Sequence, residues 1–137
     1  MRLDWNVLDI DAQSEVERIC AGLRESVATE LHRRGAVVAI SGGVDSGVCA
    51  ALAVRAFGPA RVLMLILPER ESSSASAARA RTLAEHLGVT PIEQDIGPAL
   101  DAIGCYRWRD EALQRALPAY DADWRAKCRL ATGERAR

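Results

Sequence analysis

Residues 36–40, Ala-Val-Val-Ala-Ile, are apolar at every position and run directly into Ser41-Gly42-Gly43-Val44-Asp45-Ser46. An alternating pattern would leave one face of a strand in water; a continuous one predicts a strand covered on both faces, as in a parallel sheet. Two glycines end the run. From Val44 the apolar spacing becomes helical through Val48 and Leu52, until Gly58-Pro59 stops it. This order of strand, tight turn and helix constrains the chain more than any other feature. It gathers backbone N–H groups and a helix N-terminus at one point, and both favour an anion there.

The flanking sequence repeats the rhythm. Residues 12–34 place Val16, Ile19, Cys20, Leu23, Val27 and Leu31 at helical spacing, with Ser14 and Glu17 in capping-box form and Gly35 as the expected stop. A second continuous apolar run, 62–67, ends at Pro68. A polar loop over 69–74 then leads to an alanine-rich helix over 75–87, closed by Gly88, and a third strand is expected over 89–95. This β-α-β-α-β alternation predicts an α/β fold, a doubly wound parallel sheet with right-handed crossovers. Short helices are expected over 98–103, with Pro98 first, and over 108–117, before Pro118. Residues 125–137 hold five basic residues and one acidic residue.

The turn's composition narrows its chemistry. Gly42 and Gly43 let the backbone take positive φ and approach a phosphate closely. Ser41 and Ser46 offer hydroxyl donors. Asp45 would repel a phosphate directly, so its expected role is to hold Mg²⁺ that bridges to one. Neither the G-x-x-x-x-G-K-[ST] loop nor the dinucleotide G-x-G-x-x-G is present.

Other features exclude function classes. The 137 residues suit one domain, and a formal net charge of −1 gives no reason to expect nucleic acid as a partner. Cys20, Cys49, Cys105 and Cys128 are widely separated and form no C-x-x-C pair, so free thiols are expected. His32 and His86 lie on separate helices and are read as surface residues. Trp5, Trp108 and Trp124 are read as packing anchors. The acidic N-terminus does not suit a signal peptide, and no apolar stretch approaches the ~20 residues of a membrane span. The expected location is a reducing cytoplasm, with no membrane partner.

Ser41-Gly42-Gly43-Val44-Asp45-Ser46 resembles the pyrophosphate-binding loop of the PP-loop ATP pyrophosphatases. The wider sequence is similar to the NAD synthases of the NAD/GMP synthase superfamily. The similarity runs through Arg33-Arg34-Gly35, Leu67-Pro68-Glu69-Arg70 with Ser72-Ser73, Leu83-Ala84-Glu85-His86-Leu87-Gly88 and Ile103-Gly104-Cys105-Tyr106. The resemblance implies an adenine-nucleotide alpha hydrolase-like, Rossmann-like domain over 1–127, lacking the last strands, followed by a divergent basic tail over 128–137. It also implies a two-step ligation. The carboxylate of nicotinic acid adenine dinucleotide attacks the α-phosphate of ATP, and ammonia supplied from elsewhere then displaces AMP. The cofactors implied are ATP and Mg²⁺, and the implied assembly is a homo-oligomer.

Carried over by position, Ala39, Ile40, Ser41, Gly42, Gly43, Val44, Asp45 and Ser46 would line the ATP site. Leu67 would offer backbone contacts to adenine, and Asp45 would hold the metal. Family members often have glycine where this chain has Ala39. Ser72 and Ser73 are weaker candidates, read first as helix caps. The resemblance assigns no catalytic residue.

Family members are about twice as long, so truncation or a shifted reading frame near residue 128 is expected. In such a fold the first strand is central. Without the later strands, residues 37–40 become an unpaired apolar edge, which predicts association or poor solubility. Two alternatives remain: an ATP–Mg-binding remnant without turnover, and a tRNA-thiolating or GMP synthase type of PP-loop enzyme. The absence of paired cysteines speaks against thiolation.

Overall fold

The structure, a computed structural model, describes residues 9–121 and residue 124. These form two compact units that divide between Ile96 and Gly97. In the first unit, β1 (Ala36–Ala39), β2 (Val62–Ile66) and β3 (Ile92–Glu93) form a parallel sheet in the order β1-β2-β3. Helices α2 (Val44–Phe57) and α3 (Ser74–His86) are the crossovers, and α1 (Ala12–Glu25) precedes β1. The parallel α/β architecture is the one expected. β3 is shorter than the expected 89–95, because Val89 is drawn into the core and Pro91 has no N–H to pair.

The two faces of the sheet differ. Val62, Met64 and Ile66 point to one side, where alanines of α2 (Ala50, Ala53) and α3 (Ala80, Ala84) close over them. Met64, Ala50, Ala80 and Ala84 are 0% exposed. Alanine at these contacts lets the helices approach the strands closely. On the other side, Val37 is paired with Leu63, and both are exposed, at 64% and 39%; Ile92 is 51% exposed. The continuous apolar runs predicted cover on both faces. Among the described residues only one is covered, because two like-handed crossovers progressing in one direction place their helices on the same side. β1 is the edge strand, as the open-edge expectation requires.

The first helix corrects two expectations. Its cap is Asp11, whose carboxylate accepts from the N–H groups of Gln13 (3.1 Å) and Ser14 (3.3 Å). Ser14 lies inside the helix and donates its hydroxyl to Asp11 at 2.6 Å. That hydroxyl bond first, and the Ser14 N–H second, hold the Asp11 carboxyl below its ordinary value. Asp is as good a cap as Ser, and its position three residues earlier won. At the other end the helix widens into a π-helical turn, Ser26–Glu30, and the chain turns at His32, whose φ is +51°. Gly35 therefore does not stop the helix. A Cβ there would lie 2.0 Å from the Arg61 carbonyl oxygen, so its glycine serves close backbone packing.

The second unit contains α4 (Gly97–Ala102) and α5 (Cys105–Ala116), the latter starting three residues before the expected 108. Tyr106 and Tyr120 are buried, and the Tyr120 hydroxyl donates to Asp110 at 3.0 Å. Burial first, then this bond to Asp110, raises the Tyr120 pKa. Trp108 is not an anchor: it is 56% exposed, since two positions along a helix turn it away from the Tyr106 side. Trp124 packs edge-on against Tyr120, with ring centroids 6.1 Å apart. Cys20 is buried, Cys49 and Cys105 are free, and His32 and His86 are exposed, as expected. Trp5, Cys128 and the stretch 125–137 lie outside the described residues. No described helix is long and apolar enough to cross a membrane.

A candidate phosphate-binding site at the strand ends

β1 ends by anchoring its last turn. Ile40 is 3% exposed and its N–H donates to the Leu65 carbonyl at 2.8 Å, fixing where the following loop begins. Gly42 takes φ +76°, and a Cβ there would sit 2.2 Å from the Ser76 carbonyl oxygen at the start of α3. Both the left-handed conformation and the close approach require glycine. Helix α2 then starts at Val44 with Gly43 as its N-cap and no side-chain cap bond. The N–H groups of its first turn have no carbonyl four residues back within the helix. With the positive end of the helix dipole they face the carboxyl end of β1, where an anion is favoured.

The two serines act on the loop itself. Ser46 Oγ accepts from Ser41 N–H (3.1 Å), lies 3.0 Å from Ser41 Oγ and donates to the Gly43 carbonyl (3.2 Å). Gly43 N–H reaches Ser41 Oγ at 3.3 Å. With its single proton committed to Gly43, Ser46 accepts the Ser41 proton, so the pair clamps the turn shut. Sequence reasoning gave these hydroxyls to phosphate; here they first shape the loop, and an incoming anion would have to compete for the Ser41 proton.

Beside the loop is a hollow of about 200 Å³, lined chiefly by Ile40, Ser41, Ile66, Leu67, Pro68 and Ser76. It brings together three of the expected residues, Ile40, Ser41 and Leu67. Ala39 stands apart as the exposed last residue of β1, and Val44 and Asp45 are exposed at the start of α2. Ser72 also borders the hollow, but its hydroxyl accepts from Glu69 N–H at 3.0 Å and closes a turn. Ser73 is the N-cap of α3, accepting from Ser76 N–H at 3.1 Å, which matches the capping reading.

Arg79 was not foreseen. From α3 its Nε donates to the Gly42 carbonyl at 3.1 Å and its Nη2 to Ser76 Oγ at 3.2 Å, which sets a guanidinium beside the loop. Nothing in the local sequence marks it, since Arg79 and Arg81 alternate with alanines as on any solvated helix face.

The residues present can be set against what an adenine nucleotide with Mg²⁺ would need. The apolar walls of the hollow match a flat base, and the loop offers donors for phosphates. Among the described residues no three His, Cys, Asp or Glu side chains cluster as a metal cage. Asp45 is the carboxylate that would hold Mg²⁺, whose shell water and phosphate oxygens would complete.

Comparisons with known proteins identify the family. The NAD synthase family matches residues 15–135. The chain is 48% identical over 124 residues to the NH(3)-dependent NAD(+) synthetase of Mesorhizobium japonicum and 44% identical over 126 residues to that of Rhizobium meliloti. It aligns over 90% and 92% of its own length but spans 38% and 37% of theirs. Among solved structures, an NMN synthetase from Francisella tularensis superposes with a TM-score of 0.65 at 28% identity, covering 74% of this chain and 41% of that one. An NH3-dependent NAD synthetase from Campylobacter jejuni gives 0.65 at 26% identity, covering 80% and 50%. With a strand, loop and helix that the sequence alone placed together, and relatives that match across almost the whole chain, the protein belongs to the NAD synthase family.

Proposed function

We propose that this chain is the ATP-binding part of an ammonia-dependent NAD synthase, which adenylates nicotinic acid adenine dinucleotide and passes it to ammonia. The observation that carries this reading is the uncapped start of α2 behind the left-handed Gly42, in a loop whose Ser41 borders a 200 Å³ hollow at the strand ends. In it the adenine lies between Leu67, Pro68 and Ile40. The first-turn N–H groups of α2 take the β- and γ-phosphates. Arg79 adds positive charge where pyrophosphate leaves, and donors already in place stabilise charge growing on the leaving oxygen without reorganising. Asp45 holds the Mg²⁺, which when bound neutralises charge on the phosphates.

The same proposal places the protein in the cytoplasm and pairs it with a second copy through the apolar face of Val37, Leu63 and Ile92. The competing reading is an ATP–Mg-binding piece without turnover; the chain spans 38% of the length of its M. japonicum relative. Incubation with ATP, Mg²⁺, nicotinic acid adenine dinucleotide and ammonia separates the two. NAD, AMP and pyrophosphate in equal amounts support the ligase. ATP bound without products supports the binding piece. Absence of ATP binding removes both.

A further inference from the structure

At the opposite end of the strands is a second hollow, of about 280 Å³, bordered by four arginines, Arg24, Arg33, Arg34 and Arg61, over an apolar floor that includes Val27 and Phe57. Arg61 immediately precedes β2 and Arg34 lies two residues before β1, so the hollow lies at the amino ends of the strands, whereas the Ser41–Ser46 loop lies at the carboxyl ends. We propose that this hollow is a second, separate anion site that takes a small oligophosphate.

The four arginines border one hollow. Arg24 spends one N–H on the Ala56 carbonyl (3.3 Å) and Arg33 one on the His32 carbonyl (3.1 Å). None of the four is ion-paired with a carboxylate among the described residues. Among the described residues no acidic side chain lines the hollow. Four like charges around one space repel each other, and a ligand with several charged oxygens on adjacent atoms relieves that repulsion. Guanidinium forks match phosphate oxygens two at a time.

The backbone is bent to make this arrangement. The π-helical turn Ser26–Glu30 and the left-handed, non-glycine His32 stand directly before Arg33 and Arg34. Both are departures from regular geometry that structures keep where something is gained by them. The volume favours a small molecule over a macromolecule, since 280 Å³ admits a compact polyanion and not a folded acidic surface.

The probe is inorganic pyrophosphate, titrated calorimetrically into the full chain without Mg²⁺. Two binding events are expected, one at each end of the sheet. R33Q/R34Q should weaken one event at least tenfold and leave the other unchanged. R33K/R34K keeps the charge but loses the forks, so it should weaken the same event several-fold; it also serves if the glutamine variant fails to fold. A single event lost in R33Q/R34Q would uphold this hollow and remove the loop site. Pyrophosphate binding unaffected by either double variant would overturn the proposal. So would equal binding of sulfate or poly-glutamate at the arginines, which would mark a merely basic surface.

Discussion

Around Met64 the chain supplies everything the buried side chain touches: strands on either side and the alanine faces of α2 and α3 above. No buried side-chain nitrogen or oxygen among the described residues lacks a partner. Around Gly43 and Val44 the chain stops short. The helix begins without a side-chain cap, Val44 is 77% exposed, and the two serines take the N–H groups of Ser41 and Gly43 but none of the first turn of α2. The packed region fixes the position of the loop, and the first turn of α2 is left without a side-chain cap. That division of labour is what a ligand site on a rigid scaffold needs.

The largest effect expected is on the packed side. Met64→Ala should cost about 2–5 kcal/mol, the usual range for emptying a fully buried site, read as a shift in the urea midpoint. A loss well below that would mean the core under α2 and α3 is loose. Gly42→Ala tests the junction of the two regions. Its Cβ meets the Ser76 carbonyl at 2.2 Å and its φ is +76°, so a destabilisation of about 1–3 kcal/mol is expected from strain. ATP affinity should fall at least tenfold. Wild-type affinity in that variant would separate the loop's shape from its function. The smallest effect belongs to Leu63→Ser, one residue from Met64 on the opposite face. Stability should change by roughly 0.5 kcal/mol or less, while the self-associated fraction in size-exclusion chromatography falls. An unchanged elution profile would contradict the proposed pairing through the open face.

Much of this was legible because the signals are local. A continuous apolar run, two glycines and a change of period suffice to place β1, the turn and α2, and their bounds differ from expectation by a residue. The cap of α1 was misplaced because Asp11 and Ser14 both suit the role and only geometry chooses between them. The open face was not legible, because an apolar strand looks the same whether its second face is covered or awaiting cover. Arg79 was invisible for a different reason: it reaches the Gly42 carbonyl across 37 positions of sequence. The arginine hollow has the same origin, gathering residues from α1, the turn at His32 and the start of β2.

We propose that bare N–H groups at the start of α2 receive the phosphates of a nucleotide. Backbone amide resonances of residues 42–46, followed while ATP and Mg²⁺ are added, test it most directly. Large, saturable shifts confined to those amides and the neighbouring Leu67, with Asp45→Asn weakening the Mg²⁺-dependent part, are predicted. Saturable ATP binding that leaves residues 42–46 unmoved would contradict it.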